Sequence, residues 1–136
     1  MEIQITLMSS RLTKVSGNRE MEFSGKISMN QNIKIKSMEK FKPTNSKIES
    51  IKADYSFEID YGELGKVEIE GILFLGTDSK TTKKILEEYK NKNFQSAEQI
   101  KIMNMIIQKA SIRAFEIEEE LGLPIHIRLP ELAPKQ

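Results

Sequence analysis

The chain has 136 residues, with 21 basic and 20 acidic side chains, one histidine and no cysteine. The missing cysteine excludes disulfides, thiol nucleophiles, cysteine-based zinc sites and iron–sulfur clusters. The charge is nearly balanced, and nothing in the sequence resembles the basic stripe of a nucleic-acid binder. One domain over residues 1–136 is expected, long enough to bury a core without a disulfide or metal staple.

The opening Met1-Glu2-Ile3-Gln4-Ile5 alternates and carries a charge, unlike a signal peptide. No apolar run reaches the length of about 18 residues that spans a membrane. Membrane insertion is therefore not expected, and the cytoplasm is the default location. Ile3, Ile5 and Leu7 alternate with polar neighbours, which predicts a strand running on through Leu12 to Val15, with a turn at Gly17-Asn18.

Met21, Phe23, Ile27, Met29, Ile33 and Ile35 fall on odd positions among polar even ones, which predicts a second strand from Met21 to Lys36. Pro43 and Asn45 mark a loop. Ile51, Ala53, Tyr55, Phe57, Ile59 and Tyr61 form the dry side of a third strand, joined by a short Gly62–Gly65 connection to a fourth. That fourth strand begins with Val67 and Ile69 alternating, then becomes apolar on both sides over Ile72-Leu73-Phe74-Leu75. One side should meet the helices; the other needs cover from elsewhere.

The period then changes to 3.6. Asp78 or Ser79 can cap a short helix through about Lys92, and Ser96 opens a longer one with Gln99 at capping-box spacing. Ile100, Met103, Ile107, Ala110, Ala114, Ile117 and Leu121 give one apolar stripe. Ile102, Met105, Ile106, Ile112 and Phe115 lie off it. A helix apolar over more than half its circumference packs on two partners. One is the sheet; the other is expected to be a second copy of the helix, making those five residues the candidate oligomer interface. Gly122 ends the helix, Pro124 follows, and Ile125, Ile127, Leu129 and Leu132 form an extended apolar tail. The pattern is α+β: a four-stranded antiparallel meander sheet, then a short and a long helix packed on one face.

Little here suggests catalysis or a cofactor. The Gly71–Gly76 spacing imitates a phosphate loop, yet Thr77 stands where the lysine belongs and the loop is filled by apolar residues. His126 lacks ligand partners and reads as a structural histidine pointing away from its isoleucine neighbours. Glu116, Glu118, Glu119 and Glu120 read as a solvated acidic face or a docking patch. Met29, Met103 and Met105 are either core or adaptable contacts for varied peptides.

Two segments carry a family resemblance: Glu70-Gly71-Ile72-Leu73-Phe74-Leu75-Gly76, and Leu121-Gly122-Leu123-Pro124-Ile125-His126-Ile127-Arg128-Leu129-Pro130-Glu131-Leu132. With Ile3-Gln4-Ile5, Lys14-Val15-Ser16 and the order of elements, the chain resembles the SecB family of export chaperones over nearly its whole length. The resemblance implies a dimer of dimers with helices sandwiched between sheets. It also implies ATP-independent holdase activity on unfolded polypeptides, with no cofactor. The sequence stops at Gln136 without the second C-terminal helix and acidic tail of SecB proteins, which argues against delivery to a SecA-type motor and brings toxin–antitoxin chaperones into view.

The leading expectation is thus a non-enzymatic chaperone, in export or in toxin–antitoxin control. The alternative is an adaptor for one folded partner. The candidate polypeptide-binding residues are Leu73, Phe74, Leu75, Phe94, Leu123, Ile125, Ile127 and Leu129, gathered between the fourth strand and the segment after the long helix. A tail that packs into the sheet as its own ligand is the competing account of the same residues.

Overall fold

The computed structural model describes residues 4–41 and 50–127. Four strands, β1 (Thr6–Arg19), β2 (Asn30–Phe41), β3 (Ser50–Asp60) and β4 (Gly65–Gly76), precede two helices, α1 (Ser79–Lys90) and α2 (Ala97–Leu121). The expected α+β class and the four-stranded antiparallel sheet are both present.

The spatial order of the strands is β1-β4-β3-β2. Only β2, β3 and β4 form a meander. The first strand does not pair with the second but returns beside β4, with Thr6 opposite Gly76 and Arg19 opposite Gly65. The reason lies in β4: apolar on both sides at its end, it is an interior strand and needs a neighbour on each edge.

Strand β3 follows the sequence pattern closely. Ile51, Ala53, Tyr55, Phe57 and Ile59 are buried under the helices while their even-numbered neighbours are half-buried. Strand β4 does the same with Val67, Ile69, Leu73 and Leu75. Tyr61 and the single turn Gly62–Leu64 join them, and Gly62 takes the left-handed conformation the turn requires, φ 70°.

The second strand departs from expectation. It begins at Asn30, not Met21, and runs on to Phe41 through a bulge between Ile35 and Ser37. Asn30 lies opposite Asp60, where β3 ends, so residues before Asn30 have no strand to pair with. Met21 is 85% exposed, and Ile27 also faces solvent. Alternation alone could not reveal where the partner strand stops.

Both helices begin as their capping residues dictate. The Asp78 carboxylate accepts from Thr81 N at 2.7 Å, and these bonds hold its pKa below the ordinary aspartate value. The Ser96 hydroxyl accepts from Gln99 N at 3.1 Å. The capping box is only half made: buried Gln99 turns its amide to Ile85 O, 3.1 Å away on α1, and so ties the helices together. Lys84 and Glu98 add an ion pair at 2.9 Å, which lowers the Glu98 pKa.

Helix α2 lies across β1, β3 and β4, and α1 lies against β2. The face α2 turns to the sheet is Ile102, Ile106, Ala110, Ala114 and Ile117. Ile100 and Ile107, expected in the stripe, are exposed; Ile102 and Ile106, expected at an oligomer interface, are core. A helix apolar around most of its circumference does not encode which side meets the sheet. Gly17 settles it locally, since a Cβ there would sit 2.6 Å from Ile117 Cγ2 and 2.8 Å from Leu121 Cδ1. Of the remaining interface candidates, Ile112 is 65% exposed, and Met105 and Phe115 are half-buried.

Candidate polypeptide-binding surface

A cleft of about 460 Å³ opens between strand β2 and the α1–α2 connection. Ile33, Ile35, Tyr89, Phe94 and Met103 line it, with Lys34, Lys36, Lys90 and Lys92. Its position follows from the fold. Strand β2 is an edge, α1 covers it only in part, and the turn after α1 carries Phe94 over the gap. Tyr89 and Phe94 meet edge-on with ring centres 6.1 Å apart. Tyr89 also donates its hydroxyl to Lys36 O, 2.9 Å away beside the bulge in β2. That bond ties Tyr89, in the aromatic wall, to the strand.

Of the residues expected at the site, Phe94 lies in this cleft. The others are dispersed. Leu73, Leu75 and Leu123 are buried in the core. Phe74 lies on the sheet face away from the helices, tilted against Phe41 at 5.3 Å and beneath the Arg11 guanidinium at 5.7 Å. Those residues line a shallower depression of about 250 Å³ with Met8. Ile125 and Ile127 are half-buried, and Leu129, like Leu132 and the Pro43–Asn45 loop, falls outside the described residues. Strand β4 sends Phe74 and Leu75 to opposite faces of the sheet, so the described residues expected in one groove are divided between the two faces.

The segment after α2 is held by a polar group the sequence concealed. Glu118 is fully buried, not part of a solvated acidic face. It accepts from the Tyr61 hydroxyl, from His126 N at 3.2 Å, and lies 2.6 Å from His126 Nδ1. The His126 ring is enclosed and packs edge-on to Phe57 at 5.8 Å. Burial, with Glu118 as the acceptor, pushes the Tyr61 pKa above the ordinary tyrosine value. The outgoing chain is thereby fastened to β3, which supports the competing account that this segment packs against its own domain. Gly122, at φ 68°, makes the turn, and its carbonyl accepts from Arg19.

Sequence reasoning missed Ile33, Ile35 and Tyr89 as site residues. The first two read as ordinary dry-face positions; only the partial cover of an edge strand makes them a wall. Met103, read as either core or adaptable contact, lies in the cleft. Among the described residues, no group of three or more His, Asp or Glu side chains is placed to hold a metal. No described helix is long and apolar enough to cross a membrane.

No protein-family model matches the sequence, and no curated protein matches it. Among solved structures, the chain is similar to the Mycobacterium tuberculosis SecB-like chaperone Rv1957, determined in complex with a ChAD peptide from the HigA1 antitoxin Rv1956. The TM-score is 0.54 at 10% sequence identity, over 97% of this chain and 93% of that one. The likeness is one of fold: the four-stranded antiparallel sheet with two helices is consistent with a SecB-like fold.

Proposed function

We propose that this chain is an ATP-independent holdase that binds extended, non-native polypeptide in the cleft between β2 and the α1–α2 connection. The carrying observation is the cleft itself, walled by Ile33, Ile35, Tyr89, Phe94 and Met103. Walls of this composition retain apolar segments by buried area, at about 25 cal/mol per Å², and discriminate little between sequences. The fold likeness to a chaperone solved with an antitoxin peptide supports the reading. Work in the cytoplasm, on exported precursors or antitoxins, is part of the same proposal.

Assembly as a dimer of dimers belongs to the proposal too. Exposed Ile100, Ile107 and Ile112 on α2, and Met8, Leu12 and Val15 on edge strand β1, provide apolar surface for a second copy. Sedimentation that finds only a 15.6 kDa species would reject assembly. The holdase reading is tested by aggregation assays on several unrelated denatured proteins without nucleotide. The expected result is suppression of most of them, and a substantial loss of it in Phe94→Ser with the fold retained. Suppression of none, with capture of one folded partner, would establish the adaptor instead.

A further inference from the structure

The charge at the mouth of the apolar cleft comes from Lys90 and Lys92 on the α1 side. Lys34 and Lys36 alternate with Ile33 and Ile35 along β2, and the Lys36 ammonium reaches Glu70 on the other face of the sheet. Four lysines, Lys34, Lys36, Lys90 and Lys92, are among its described lining residues, and no acidic residue is. The chain as a whole carries a net charge of only +1, so this is a local concentration. Lys36 is neutralised by Glu70 at 3.0 Å. Lys34, Lys90 and Lys92 make no ion pair among the described residues.

Lys92 occupies a position that disfavours it. It is the left-handed residue ending α1, at φ 58°, in a turn closed by Asn93 N to Glu88 O at 2.8 Å and Lys92 N to Tyr89 O at 3.0 Å. Glycine is the usual residue there, and α2 has it, at Gly122. Among the described residues, Lys92 is the one non-glycine with positive φ. Placed there, it adds a cation beside Phe94 at the mouth of the cleft.

We propose that the cleft selects extended segments in which acidic side chains flank the apolar ones. The apolar residues seat between β2 and Phe94, and the flanking carboxylates meet Lys90 and Lys92. This rests on the reading of the cleft as the polypeptide site and adds a sign to it. Exposed pairs of this kind are individually weak and screened by salt. Together they should favour a Glu-flanked over a Lys-flanked peptide by roughly 3- to 30-fold at low ionic strength.

The test uses the full chain and three fluorescent peptides with one leucine-rich core, flanked by Glu, Ser or Lys, followed by anisotropy. The expected order of affinity is Glu, then Ser, then Lys. The spread should collapse in roughly 1 M salt, where the Debye length is about 3 Å. Lys90→Gln/Lys92→Gly should lose the preference for Glu, read as the ratio of Glu-peptide to Lys-peptide affinity within the same variant. Its urea midpoint should not fall, because glycine relieves the left-handed position. Equal affinity for the Glu and Lys peptides with sound Ser binding overturns the charge selection alone. Failure of all three peptides to bind overturns the cleft reading beneath it.

Discussion

Replacing Glu118 with alanine tests the buried polar group that fastens the segment after α2. The carboxylate is fully enclosed and takes three contacts: the Tyr61 hydroxyl, His126 N and His126 Nδ1. Alanine leaves those groups unpartnered in a site the surrounding chain closes to solvent. Each orphaned buried group costs about 1–3 kcal/mol, and the losses are not additive. The expected destabilisation is about 3–5 kcal/mol, a large share of the 5–15 kcal/mol typical of a domain. With a urea slope of about 2 kcal/mol per M, the midpoint should fall by roughly 2 M. Urea titrations at one fixed protein concentration measure this, and exposed Glu119→Ala serves as the control that should stay within about 0.5 kcal/mol. Glu118→Gln, which keeps one carbonyl acceptor, should fall between them. A Glu118→Ala midpoint within about 1 kcal/mol of the parent would refute the account, because the tail would then be held by something else.

Two further perturbations address the sheet. A Cβ at Gly71 would lie 2.5 Å from Tyr55 Oη and 2.6 Å from Arg11 O, so Gly71→Ala should cost about 1–3 kcal/mol and lower the thermal midpoint by several degrees; an unchanged midpoint would show that β1 can move aside. Tyr61 and Tyr55 are both held above the ordinary tyrosine pKa, chiefly by burial, so both stay neutral in the folded chain. Above about pH 10 the unfolded chain loses these protons and the folded chain keeps them, so stability should be complete below that pH and decline as it rises. Urea midpoints that stay level from about pH 9 to 11 would contradict this burial.

The sequence by itself determined the class of fold and most of its elements. Period-two alternation over Ile51–Tyr61 and at Val67 and Ile69 reports directly which side chains face the core, because a strand has only two faces. Ser96, Asp78 and Gly122 fixed helix ends through bonds made within a single turn. What tertiary structure alone decided was everything that depends on a partner distant in the chain. Strand β2 begins at Asn30 because β3 ends opposite it, and β1 lies beside β4 because an interior strand needs two neighbours. The side of α2 that meets the sheet was undetermined while most of its surface was apolar, and so Ile102 and Ile106 exchanged places with Ile100 and Ile107. Glu118, one of four glutamates in a short acidic run, became a core residue only because Tyr61 and His126 converge on it from far along the chain and from beyond the helix. The cleft has the same origin: Ile33, Tyr89, Phe94 and Met103 are scattered in sequence, and only the incomplete cover of edge strand β2 by α1 turns ordinary apolar positions into an open apolar wall.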